Sequence, residues 1–222
     1  MSHQGAGNAK RKRPAHDLGN EHSQPRVLRG EIAYRVARLI ADDGITSFTA
    51  AKQKAARQMG ITEKGLLPGN HEIDDALRAY QSIFQGNTQP QECRVLRQIS
   101  VDVMRWLDRF SPWLVGTVLN GTANRFSQIE LEIVGDDEAK HLEMFFFNEG
   151  MPFETRVERP VQTQRTDTWS DLVIYEIFFH ECQIDITFYP NHAVRTAHHS
   201  SESLEHARAK LVDIERLLAS QR

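Results

Sequence analysis

The chain predicts an α+β protein: a helical segment followed by a mixed β-sheet core. Two observations carry this. Upstream of Pro112 apolar residues recur every three or four positions, and downstream they alternate or form short runs bounded by Gly, Asn and Asp. With 222 residues, 40% hydrophobic and 26% charged, the chain is long enough for one sizeable domain with a helical extension, and ordinary for a globular protein.

Residues 1–27 are rich in Gly, Asn, His, Ser, Gln and Pro without sustained periodicity, which predicts a disordered tail. Its basic run, Ala9-Lys10-Arg11-Lys12-Arg13, is open to two readings, a solvated tail or an RNA-contacting arm. Residues 28–111 make the helical segment. The first helix begins at Gly30, carries Ile32, Val36, Leu39 and Ile40, and stops at Gly44. Thr49–Met59 is an Ala-rich helix closed by Gly60. Ile73–Phe84 puts Ile73, Leu77, Tyr80 and Phe84 on one stripe, with Asn70 as its cap. A longer helix over Gln91–Phe110 carries Val95, Ile99, Val103, Met104 and Leu107, and ends before Pro112.

Residues 112–222 make the core. Leu114–Thr117 is a short apolar strand and Ile129–Val134 an alternating one. Asp136–Asn148 predicts a helix, with Leu142, Phe145 and Phe146 inward and Gly150 closing it. Phe153–Glu158, Asp171–Phe179 and Gln183–Tyr189 predict strands, the last two joined tightly through His180-Glu181-Cys182. Leu204–Leu218 is a closing amphipathic helix.

Composition excludes several classes. The formal net charge of -3 gives no global attraction to nucleic acid. No apolar run approaches the roughly twenty residues of a membrane span. The polar N-terminus predicts no secretory signal. Cys93 and Cys182 have no metal-ligand spacing and make no disulfide framework, so a cytoplasmic protein with reduced thiols is expected. No histidine pair has zinc spacing.

The chemistry concentrates between Trp113 and Val134, WLVGTVLNGTANRFSQIELEIV. Gly116-Thr117 follows a short apolar strand, and Gly121-Thr122 repeats the pair. In the strand beyond, Gln128, Glu130 and Glu132 project to one face. Glycine lets backbone approach a triphosphate, and backbone N–H groups with a hydroxyl bind its oxygens. Carboxylates two apart on one strand suit a divalent ion. The plain alternative for Glu130 and Glu132 is the wet face of a half-solvated strand. Asp185 stands centrally in the alternation Gln183-Ile184-Asp185-Ile186-Thr187-Phe188, where Asp is disfavoured, so it needs a partner or a role. Asn124 and Arg125 are either phosphate- or base-contacting residues or plain loop.

This pattern resembles the DNA polymerase beta-like nucleotidyltransferase superfamily, in particular its minimal bacterial branch. There apolar-Gly-Ser precedes Asp-apolar-Asp across a short spacer; Gly116-Thr117, Gly121-Thr122-Ala123 and Ser127-Gln128-Ile129-Glu130-Leu131 are similar. The resemblance, extending over about 30–218, implies a nucleotidyltransferase-type sheet and magnesium-dependent transfer of a nucleoside monophosphate from a triphosphate to an acceptor hydroxyl. The acceptor class, whether RNA, protein or a small molecule, stays open. It implies Gly116, Thr117 and Arg125 as nucleotide contacts, Gln128, Glu130 and Asp185 as metal positions, and Glu130 and Asp185 as catalytic. The first carboxylate position holds an amide, Gln128, which brings no charge and cannot bridge two ions. Glu130 with Glu132 is an alternative register that restores two carboxylates. A second function therefore stands beside the first: an inactive relative that binds nucleotide, RNA or protein.

Overall fold

The computed structural model describes residues 23–135, 138–158, 172–189 and 207–220. The order expected from the periodicity is present. Helices α1 (Ser23–Ala41), α2 (Phe48–Gln58), α3 (Asn70–Phe84) and α4 (Gln89–Trp106) precede the sheet. Then come β1 (Trp113–Val115), α5 (Gly116–Asn120), β2 (Ile129–Val134), α6 (Glu138–Glu149), β3 (Phe153–Glu158), β4 (Leu172–Phe179), β5 (Cys182–Tyr189) and α7 (Leu211–Ser220). The protein is thus mixed α/β, with seven α-helices among the described residues. None of these is long and apolar enough to cross a membrane.

Several boundaries correct the expectations. α1 already contains residues 23–27, assigned above to the tail. Pro25 is compatible with this, because the first helical turn needs no backbone donor there. The rest of the tail lies outside the described residues. α4 starts two residues earlier than expected, with proline in its opening turn, and gives way at Leu107 to a 3-10 turn over Asp108–Phe110. Val95, expected on its apolar stripe, is 52% exposed. Thr117 is not in the first strand: that strand ends at Val115 and Gly116 opens α5. The expected starts at Asp136, Asp171 and Leu204 fall outside the described residues.

The sheet has order β1-β2-β5-β4-β3 and mixed sense. β1 and β2 are antiparallel, β2 and β5 parallel, and β5, β4 and β3 successively antiparallel. The tight β4–β5 connection has both His180 and Glu181 at positive φ, the twist a two-residue hairpin favours. Period-2 alternation divides the sheet. Ile129, Leu131, Ile133, Ile184, Ile186, Tyr175 and Ile177 face a core shared with Leu96, Val103 and Met104 of α4 and Leu142 and Phe146 of α6. The opposite face presents Gln128, Glu130, Glu132 and Asp185. α1, α2 and α3 have their own cluster, built on Ile32, Val36, Leu39, Ala51, Ala55, Ile73 and Leu77. The alanines of α2 leave room for close helix approach, and Ser47 caps it by accepting from Ala50 N at 3.3 Å.

Candidate functional site

The segment after β1 is held by side chains from far upstream. Gly116 has φ +70° and Gly121 φ +89°, conformations that favour glycine. Between them the Thr117 carbonyl accepts from Gly121, Thr122 and Ala123 N–H at 3.0, 3.1 and 3.1 Å. Gln81 of α3 donates to Thr122 O (2.8 Å), and Gln89 of α4 donates to Gly121 O (2.9 Å) and Ala123 O (2.7 Å). Buried Arg97 donates through Nε to Val118 O (3.0 Å) and through Nη2 to Leu119 O (3.1 Å). Five carbonyls of one turn-rich loop thus find donors on two helices, which fixes the loop against both clusters.

Beside that loop lies a cleft of about 460 Å³. Its walls are Thr46, Ser47 and Phe48 at the start of α2, Asn70 and Asp74 of α3, Gly116, Thr117 and Asn120 of α5, and Gln128, Glu130 and Arg156 from the sheet side. Glu130 and Asp185 are direct partners on parallel strands, so both project to this face. A Cβ at Gly116 would lie 2.8 Å from Glu130 Cδ and closer still to its Oε2. The glycine therefore makes room for that carboxylate. Burial, then the charges of Asp185 and Glu132, push the Glu130 carboxyl up to about 7, against the pull of Arg156. Burial likewise raises the Asp74 carboxyl, which accepts from Asn120 Nδ2 at 3.1 Å.

Asp185 is 3% exposed and both of its carboxylate oxygens accept hydrogen bonds. Oδ2 accepts from Arg156 Nη2 at 2.5 Å and Gln128 Nε2 at 3.0 Å, while Oδ1 accepts from Gln183 Nε2 at 3.0 Å. Arg156 also reaches Glu176, with Nη1 3.9 Å from Oε2. Glu132, the alternative ligand, is paired with Arg208 Nε at 2.6 Å.

Of the residues singled out in the sequence, Gly116, Thr117, Gln128 and Glu130 line the cleft, and Asp185 lies directly beneath it. Arg125 does not line it: its guanidinium lies 4.7 Å over the Phe126 ring, and its backbone N–H donates to Glu92 at 3.1 Å. The Glu130–Glu132 register fares no better, since Glu132 holds Arg208. Sequence reasoning missed Arg156, Asp74 and Asn120. Only Arg156 carried a signal, as a lone cation in the strand Phe-Glu-Thr-Arg-Val-Glu.

Magnesium needs several hard oxygens with its charge balanced by carboxylates. The residues present do not fit that requirement. Gln128 turns its amide N–H₂ toward Asp185, and the Arg156 guanidinium already pairs with that carboxylate. Among the described residues no three His, Cys, Asp or Glu side chains form a metal-holding group. No family model matches the chain, nor does any curated protein or solved structure.

Proposed function

We propose that the chain is a metal-independent nucleotide-binding protein, a relative of nucleotidyltransferases that has lost transfer. The observation carrying this reading is the Asp185 carboxylate, held at both oxygens by Arg156, Gln128 and Gln183. Nucleotidyl transfer depends on divalent ions to activate the acceptor and to neutralise phosphate charge. Here that negative charge is met inside the protein by arginine and two amides.

The cleft nonetheless suits a nucleotide. The N-termini of α2 and α3 open onto it, and helix N-termini favour phosphate. Arg156 adds guanidinium N–H groups beside those it gives to Asp185, Thr117 and Ser47 add hydroxyls, and Phe48 adds an aromatic face. Glu130 and Asp74 oppose a dense negative charge, so a monophosphate is preferred to a triphosphate.

Calorimetric titration with the four ribonucleoside monophosphates and triphosphates, with and without magnesium, tests this. At least one monophosphate binds as tightly as its triphosphate, magnesium leaves both unchanged, and an alpha-labelled triphosphate transfers no label. One observation favours the enzyme instead: Glu130 and Asp185 stand side by side on parallel strands. Magnesium-dependent label transfer that Glu130→Ala abolishes would establish that second reading and end the first.

A further inference from the structure

β3 is an end strand of the sheet, and among the described residues only β4 pairs with it. Such an edge is a template for another strand unless charge or covering chain prevents it. The strand carries Glu154, Arg156 and Glu158, and the central two, Glu154 and Arg156, are exposed and of opposite sign. Their arrangement around Thr155 is symmetric: Phe153-Glu154-Thr155-Arg156-Val157 has an apolar residue at each end, an acid and a base inside, and a hydroxyl in the middle.

We infer that β3 pairs antiparallel with β3 of a second copy of this chain, centred on Thr155. In that register Glu154 of each copy faces Arg156 of the other, Phe153 faces Val157, and the two Thr155 residues oppose each other. Two-residue slips are discouraged. One sets Glu154 against Glu154, and the other sets Arg156 against Arg156, and like charges directly opposite destabilise a strand pair. A one-residue slip turns the cleft face of one copy to the core face of the other. Of the registers that keep the faces aligned, the Thr155-centred one pairs five residues of β3 with two Glu154–Arg156 contacts, whereas a Val157-centred one, which sets Arg156 against Glu158, pairs only three.

The symmetric pairing joins two five-stranded sheets into one, with both clefts on the same side. It also places a carboxylate of the second copy beside Arg156, the residue that holds Asp185. A single strand pair buries less than the roughly 1,200–2,000 Å² of stable interfaces, so the dimer is concentration-dependent.

Sedimentation velocity on the full chain across a concentration series, together with cysteine cross-linking, tests the inference. The wild type shifts from monomer to dimer, and Glu154→Arg raises the dissociation constant by about tenfold or more, since two facing pairs become like-charged. Thr155→Cys forms a disulfide-linked dimer under mild oxidation, because directly opposed strand residues lie within the Cα separation a disulfide spans, about 4.4–6.8 Å. The wild type, with Cys93 buried and Cys182 half-buried, stays uncross-linked under the same oxidation. A wild type that stays monomeric at every concentration overturns the inference. So does a dimer indifferent to Glu154→Arg, or a Thr155→Cys chain that does not cross-link. None of these outcomes bears on nucleotide binding, which is read separately by calorimetry.

Discussion

Gly116-Thr117 and Gly121-Thr122 are the same dipeptide in one short loop, yet the fold gives them opposite surroundings. The first opens onto the cleft, with Gly116 yielding space to Glu130. The second is buried: Thr122 is 2% exposed and its hydroxyl donates to Asn120 Oδ1 at 2.7 Å. Gly121 has Arg97 for a neighbour, whose Nη2 would lie 3.2 Å from an added Cβ. One pair lines the cleft, while the other anchors the loop to α3 and α4. Spacing alone does not say which is which; the donors that reach the loop decide it.

The largest effect is expected where the anchor is cut. Gln89→Leu keeps the side-chain bulk but leaves the Gly121 and Ala123 carbonyls buried without their donor. The cost is about 2–4 kcal/mol, since each orphaned group forfeits its desolvation. Urea unfolding followed by circular dichroism checks it. A loss below about 1 kcal/mol would mean the loop holds without α4, and the contrast between the two pairs would lose its cause.

On the cleft side the strongest effect is electrostatic. The Glu130 carboxyl is raised from 4.5 to about 7 in the folded protein. Below pH 4.5 both folded and unfolded chains carry the proton, and burial costs nothing through this group. As pH rises from 4.5 toward 7 the unfolded chain ionises first, so the folded state loses ground, and the loss is complete above 7. Glu130→Gln removes the charge while keeping the shape beside Gly116. It should stabilise the protein by about 2 kcal/mol at pH 8 after allowance for the open cleft, and by almost nothing near pH 4.5. Thermal midpoints of both proteins across that range decide it; a gap that does not grow with pH contradicts the cause given.

How much of this was legible in the sequence follows from the range of each signal. The change from helical to strand period at Pro112 is local, so the element order could be read directly. Alternation is also local, and with the resemblance it set Glu130 and Asp185 on one face, as the β2–β5 register has it. The short α5 was hidden because five residues are too few to show a period. The polar anchors were hidden for another reason. Gln81, Gln89 and Arg97 sit on helices where polar residues usually face water, and their partners lie 41, 34 and 21 residues away. Arg156 had the same disguise: on an edge strand it looks solvated, and only folding brings it to Asp185, 29 positions on.

Substituting the two glycines sharpens the contrast at smaller scale. Each sits at positive φ, so each Gly→Ala costs about 1 kcal/mol for backbone alone. Gly116→Ala also pushes on the Glu130 carboxylate, and that extra cost should vanish when Glu130 is shortened to alanine. A double-mutant cycle of Gly116→Ala with Glu130→Ala should therefore show a coupling of about 1 kcal/mol, while Gly121→Ala with Glu130→Ala shows none. Equal coupling in both cycles would mean that the carboxylate feels the whole loop and not Gly116 alone.

The smallest stability effects separate the two threonines, and here the difference in kind matters more than the size. Thr122→Val removes a buried hydroxyl and leaves Asn120 Oδ1 with only the Thr122 N–H at 2.9 Å, so a loss of about 1 kcal/mol is expected. Asn120 also holds Asp74 across the cleft, so the loss should come with a looser α5. Thr117→Val changes a half-buried side chain that lines the cleft, and stability should move by less than about 0.5 kcal/mol. What it should change is binding: on the proposed reading of the cleft, monophosphate affinity falls several-fold while the thermal midpoint stays put. If instead Thr117→Val destabilises as much as Thr122→Val and leaves affinity untouched, both threonines are anchors. The cleft would then have no claim on the Gly-Thr pair that faces it.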